Sequence, residues 1–194
     1  FGSGNGYGPT EVGWARIREV QGFPAAPSVA DPNLLSGKPV AASSELPSHG
    51  MVDATDGKSG GAGKDFVFAS GDASQRLVVH GFYGAVCLVR IWAGDLRPRR
   101  ITLRSSTTDR TSLSATDYET ALVPGPVSLD GRWIASADGA SYVEMAVNAP
   151  KGTRSLFADF GSGNDTSPDA GFARITEIQA YKVPGPAGTV LTFR

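Results

Sequence analysis

Four aromatic residues are candidates to stack on a ligand: Tyr83, Trp92, Trp133 and Phe172. A binding ring typically covers the apolar face of its ligand while a few polar groups fix the orientation. Tyr83 lies in His80-Gly-Phe-Tyr-Gly84, a turn-like stretch, and is expected to be exposed. Trp92 ends an apolar run and is expected to be packed. Trp133 follows Asp130-Gly131-Arg132 near a turn, where either placement is open. Phe172 follows a Gly-, Ser- and Asp-rich loop at 161–171.

Reaction chemistry finds less to work with. His49 and His80 are the only histidines, and neither has a metal-ligand spacing such as His-x-x-x-His. The run Gly57-Lys-Ser-Gly-Gly-Ala-Gly-Lys64 approaches a phosphate loop, but its glycines are misplaced by one and Asp65 follows the lysine. It reads as a plain loop. The Gly-Ser-Gly of residues 161–163 lacks the strand-to-helix setting of a hydrolase nucleophile. The lone Cys87 sits in the apolar run Gly84–Trp92 and reads as a buried structural thiol. Catalysis is not expected. Asn164-Asp-Thr166 is a glycosylation acceptor for a chain on a eukaryotic secretory route.

A formal net charge of −1 gives no long-range pull toward nucleic acid or an anionic membrane. No apolar run approaches the ~20 residues of a membrane-spanning helix. The chain starts at Phe1 without a signal peptide, so it reads as a mature or excised piece of something longer.

The end of the chain repeats its beginning. Phe1-Gly-Ser-Gly-Asn5 returns as Phe160-Gly-Ser-Gly-Asn164, and Gly13–Phe23 returns as Gly171–Tyr181, at spacings of 159 and 158 residues. That is one domain length. Residues 1–23 therefore read as the closing segment of a preceding tandem repeat, and Pro-rich 24–32 as a linker. Residues 33–182 form the complete module, with 183–194 as a linker or tail.

The elements that must position any site are short strands. Arg76–His80, Val86–Trp92, Arg100–Arg104, Tyr142–Val147, Ser155–Phe160 and Ala173–Tyr181 read as strands, with clear alternation in Ile101-Thr-Leu-Arg and Val143-Glu-Met-Ala-Val. With 25 glycines and 13 prolines to turn the chain and no helical periodicity, the expected fold is all-β. An antiparallel jelly-roll β-sandwich fits best.

Several of these stretches resemble one known family. Asn33–Ser44 looks like the opening strand of discoidin domains, also called coagulation factor V/VIII C-type domains, of the galactose-binding-like superfamily. Asp53-Ala-Thr-Asp-Gly57 followed by Phe68-Ala-Ser70 resembles their Asp-Gly loop, which normally ends in Trp-Ser-Ser. Arg97–Ser106 is similar to the strand before their Ser-x-Asp-Gly hairpin, and Ala173–Tyr181 to their closing strand. The resemblance covers 33–182 and implies a jelly roll of about eight strands whose loops at one end hold ligands. Fold alone does not choose the ligand.

The resemblance also implies a structural calcium, held by residues matching Asp56 and Glu177. Calcium takes about six to eight oxygens, so loop carbonyls would complete the set. The competing reading is that Asp56 caps a turn and Glu177 accepts hydrogen bonds at the sheet edge. Galactose-binding members carry a His after the tryptophan of the Asp-Gly loop and an Arg…Asn pair in a longer loop. Here the first position falls near Ala69, and the loop is cut to Ala93-Gly-Asp-Leu-Arg97. Other residues must then serve, and Asp95, Arg97, Arg99 and Asn164 join Tyr83, Trp133 and Phe172 as candidates.

The expected role is non-catalytic binding of a glycan or glycosylated surface, outside the cell or at its surface. Two alternatives stay open. The chain could be a building block of a filament or surface layer, joined head-to-tail to other copies through residues 1–23. Or the same loops could bind protein or lipid, for which Leu96 among Arg97, Arg99 and Arg100 is a faint signature.

Overall fold

A computed structural model describes residues 32–59, 65–68, 74–167 and 171–182. The readings made for 1–23, for most of the linker and for the tail lie outside them.

Eleven strands appear among the described residues, all paired antiparallel. One sheet has the order β1–β3–β9–β5–β6, formed by Val40–Ala42, Arg76–Gly84, Thr153–Asp159, Arg100–Ser106 and Thr120–Ser128. The facing sheet has the order β11–β4–β8–β7, formed by Glu177–Lys182, Val86–Ala93, Ser141–Ala146 and Ile134–Ala135. A small ribbon pairs β2, Phe66–Val67, with β10, Arg174–Ile175. This is the antiparallel sandwich expected from the strand pattern.

Alternation decides what each strand buries. Leu77 and Val79 of β3, Ile101 and Leu103 of β5, and Leu156 and Ala158 of β9 face the core. So do Val89 and Ile91 of β4, Val143 and Met145 of β8, and Ile178 and Ala180 of β11. Phe66, Phe68 and Phe160 close one end, with ring centroids 4.6 and 5.9 Å apart in edge-to-face contact. Each such fully buried side chain stabilises the fold by about 1.5–3 kcal/mol.

Two central strands are apolar on both sides. Val78 of β3 and Phe157 of β9 point outward, where Tyr118 from the 107–119 segment covers them. The Tyr118 hydroxyl donates to the Ser112 carbonyl at 2.6 Å, and burial pushes its pKa up to about 12, with Arg110 opposing and Asp117 adding to the rise. This second, smaller cluster explains the unbroken run Leu77-Val-Val79.

Register fixes which loops meet. Ala93 faces Ser141, Trp92 faces Glu177 and Tyr142, and Asp159 faces both Arg76 and Thr102. The segments 94–99, 129–133, 136–140, 160–167 and 171–173 therefore gather at one end of the sandwich. Gly84 faces Thr153 at the other end.

Trp92 is buried as expected, yet outside the core cluster, on the outer face of its sheet. There it packs on Tyr142 and donates to Gln179 at 3.0 Å. Cys87 is half-buried rather than buried, because a register shift beside Tyr181 interrupts the core-facing alternation there.

Candidate functional site

The gathered loops enclose an open cleft of about 570 Å³. Its walls are Gly94–Arg97 from the β4–β5 connection, Gly139 and Ser141 at the β7–β8 turn, and Asp165 and Thr166 after β9. Asp65, Arg174 and Thr176 form the rest. Five separate stretches of sequence contribute, and backbone bonds tie them together. Arg174 N–H donates to the Leu96 carbonyl at 3.1 Å, Asp165 N–H to the Arg97 carbonyl at 2.9 Å, and Thr176 N–H to the Trp92 carbonyl at 2.9 Å. Leu96 is held with φ +52°, a left-handed conformation that costs a branched side chain about 1–2 kcal/mol. Such strain persists only where its surroundings over-determine it, and it clusters at functional sites.

Charged side chains line the cleft in pairs. Arg174 reaches two carboxylates: Nε donates to buried Asp65, and Nη1 to exposed Asp95 at 2.7 Å. The other oxygen of Asp65 meets His49 Nδ1 at 2.9 Å. Arg97 binds Asp165 through its backbone N–H at 3.0 Å and its Nε at 2.7 Å. Pairing of this kind fixes the planar guanidinium and carboxylate groups while leaving part of their donors and lone pairs unused.

Two buried amides hold the loop that carries Asp165 and Thr166. Gln75, wholly buried, donates to the carbonyls of Gly161 and Gly163 at 3.2 and 3.4 Å and accepts from Ala173 N–H. Asn164 donates to the Phe172 carbonyl at 2.7 Å, and its Oδ1 accepts from Thr166 N–H, Thr166 Oγ1 and Ser167 N–H. Gly171, with φ +108°, leaves the room Asn164 occupies: a Cβ there would stand 3.0 Å from Asn164 Nδ2.

The sequence candidates fall into three groups. Asp95 and Arg97 line the cleft. Asn164 lies beneath it at 2% exposure, its side chain spent on the loop, so it offers no amide to a ligand or a glycosylating enzyme. Arg99 stands to one side in a bidentate pair with Asp130, with Nη2 to Oδ2 at 2.6 Å. Trp133 and Phe172 are half-buried against the core. Tyr83 is 64% exposed but sits at the opposite end, against Gly152 and 5.4 Å from the Arg154 guanidinium carbon. Among the described residues no aromatic side chain lines the cleft. Sequence reading missed Arg174, Asp65 and Thr166. A signal existed for the first, since Ala173-Arg-Ile175 recurs as Ala15-Arg-Ile17.

Asp56 and Glu177 lie together beside the first strand. Glu177 is wholly buried; its Oε1 accepts from Asn33 Nδ2 at 3.2 Å and its Oε2 from Gly57 N–H at 3.1 Å. Burial pushes its pKa up to about 8, the Gly57 and Asn33 bonds oppose this, and the Asp56 carboxylate adds to the rise. Asp56 closes its own turn, accepting from Lys58 N–H at 2.8 Å, and its other oxygen meets Lys58 Nζ at 3.5 Å. Among the described residues no cluster of three His, Cys, Asp or Glu exists, so loop carbonyls would have to supply most ligands of a metal. A buried carboxylate met only by neutral donors and a like charge is chemically compatible with a cation beside it.

The architecture matches solved sugar-binding modules. A chitosan-binding module of a chitosanase/glucanase from Paenibacillus sp. IK-5 superposes with a TM-score of 0.55 at 20% identity, covering 77% of this chain and 98% of that one. The lectin domain of lectinolysin, solved with Lewis b antigen, gives 0.53 at 15% identity over 79% and 98% of the two chains. The family 32 carbohydrate-binding module of C. perfringens NanJ, solved with galactose, gives 0.53 at 14% identity over 78% and 98%. The chain has the galactose-binding-like fold. No family model and no curated protein matches the sequence.

Proposed function

We propose that this module is a non-catalytic glycan-binding unit whose ligand enters the cleft between Asp95, Arg97, Thr166 and Arg174. The observation that carries the reading is the cleft itself. Charged and hydroxyl groups from separate loops converge there on an open concavity, held by buried amides and paid for with backbone strain at Leu96. Arginine donors, aspartate acceptors and the Thr166 hydroxyl suit the alternating donors and acceptors of sugar hydroxyls. The solved modules of similar fold come with sugars or sugar-binding roles, which supports this choice among the ligands the fold can host.

Without a ring to stack on, a sugar here is held by its edges. Single-site affinity is then modest, and tandem copies would raise it through avidity, by up to about 10²–10⁴-fold. Each cleft arginine is already tied to a carboxylate, which suits a site that holds and orients its ligand. In the same reading Asp56 and Glu177 hold a structural calcium that neutralises the buried carboxylate, and the module works outside the cell or at its surface.

A glycan array, run in calcium and again in chelator, tests this. Selective binding that is lost in Thr166→Trp, which fills the cleft, supports the reading. A blank array under both conditions overturns it.

A further inference from the structure

A second concavity lies on the outer face of the five-stranded sheet, near the same end, and shares no residue with the cleft. It measures about 210 Å³ and is lined by Ser74, Arg100, Thr102, Pro126, Asp159 and Gly161. Strand register builds it. Arg76, Asp159 and Thr102 stand side by side across β3, β9 and β5, with their side chains on the solvent face. Arg100 is two residues before Thr102 and points the same way.

Gly161 makes the room. Its φ is +67°, and a Cβ built there would lie 2.0 Å from Arg100 Nε, so the guanidinium lies across bare backbone. Asp159 does not pair with it, since that carboxylate is already met by Arg76 Nε at 3.2 Å, Ser74 Oγ at 3.1 Å and Gly161 N–H at 2.8 Å. Arg76, Arg90, Arg97, Arg99 and Arg174 each hold a carboxylate. Arg100, like Arg104, Arg110, Arg132 and Arg154, has none among the described residues, and of these it is the one that lines either concavity. A seated guanidinium with open donors, a threonine hydroxyl beside it and a neutralised aspartate behind it is a receptor for a planar or tetrahedral oxyanion.

We infer that the Arg100 groove binds the anionic substituent, carboxylate or sulfate ester, of an acidic glycan whose neighbouring sugars extend to the cleft. The inference rests on the glycan reading for its biological ligand, but the groove can be tested without it.

Inorganic sulfate is the first probe, titrated at constant ionic strength into ¹⁵N-labelled protein. Saturable shifts at Arg100 Nε–H and the Thr102 and Gly161 amides, absent in Arg100→Gln, support the groove. Shifts scattered over other arginines, or none, overturn it whatever the module binds in its cleft. The second probe is a set of galactan oligosaccharides in neutral and sulfated forms, with oligogalacturonate beside them. The acidic forms should bind at least tenfold tighter than neutral ones, and Arg100→Gln should abolish that difference while leaving neutral binding unchanged. Preference for sulfate or for uronate identifies the source of the anion. Equal binding of neutral and acidic forms overturns the inference while leaving the glycan reading intact.

Discussion

Arg97 and Asp165, 68 residues apart, are joined three times: backbone N–H to carboxylate at 3.0 Å, Nε to carboxylate at 2.7 Å, and Asp165 N–H to the Arg97 carbonyl at 2.9 Å. The pair locks the β4–β5 connection to the loop after β9, which makes two separate turns one wall of the cleft. Both side chains are partly exposed, so the ion pair itself adds only about 0–1 kcal/mol to stability. Asp165→Ala should therefore leave the urea midpoint nearly unchanged while lowering glycan affinity several-fold. Equal affinity for both proteins, by titration calorimetry, would show that the wall does not touch the ligand.

Gln75 acts on stability. Its side chain bonds three backbone groups. Removal takes this partner from the buried Gly163 carbonyl and Ala173 N–H and leaves a small void, while the Gly161 carbonyl keeps the Gln75 backbone N–H. Gln75→Ala should cost about 2–4 kcal/mol in urea unfolding. A cost below about 0.5 kcal/mol would mean water replaces the amide and the loop does not depend on it.

The acceptor motif at Asn164 should stay bare. Produced in a eukaryotic secretory host, the folded module is expected to show no glycan at Asn164 by intact-mass and peptide analysis, because the amide is buried and hydrogen-bonded. Asn164→Ala should destabilise by about 2–3 kcal/mol through the orphaned loop groups. Full occupancy at Asn164 would contradict the loop geometry.

Calcium should raise the melting temperature. At 100 times its dissociation constant a ligand of the folded state contributes about 2.7 kcal/mol, or ~5–10 °C for a domain of this size. Glu177→Gln should remove the response, and Asp56→Asn should weaken it. An unchanged melting curve on adding calcium to chelated protein would favour the alternative, in which both side chains serve only their own hydrogen bonds.

The sheets were readable where alternation ran for five residues or more, as in β5 and β8. Periodicity did not reveal β2 or β7, because two residues show no period. β1 showed only through the resemblance of Asn33–Ser44, and β10 and β11 read as the single strand Ala173–Tyr181, which breaks at Thr176. β6 was hidden differently. Pro124-Gly-Pro126 breaks its pattern, and proline is tolerated there because β6 is an edge strand with one side unpaired. The site was half legible: Asp95 and Arg97 came from a single short loop. Arg174 and Asp65 meet across 109 residues through the pairing of β2 with β10; only the recurrence of Ala15-Arg-Ile17 marked Arg174, and nothing marked Asp65. Tyr83 failed as a partner for the opposite reason. Its exposure was plain, but only the register shows that it stands at the far end of the sandwich.

The most direct test of the cleft assignment is an NMR titration of the strongest array ligand into labelled protein. Shifts should concentrate on Gly94–Arg97, Gly139, Ser141, Thr166 and Thr176, and disappear in Thr166→Trp. Shifts centred on Tyr83 and Gly152 at the other end, with the cleft silent, would contradict the account.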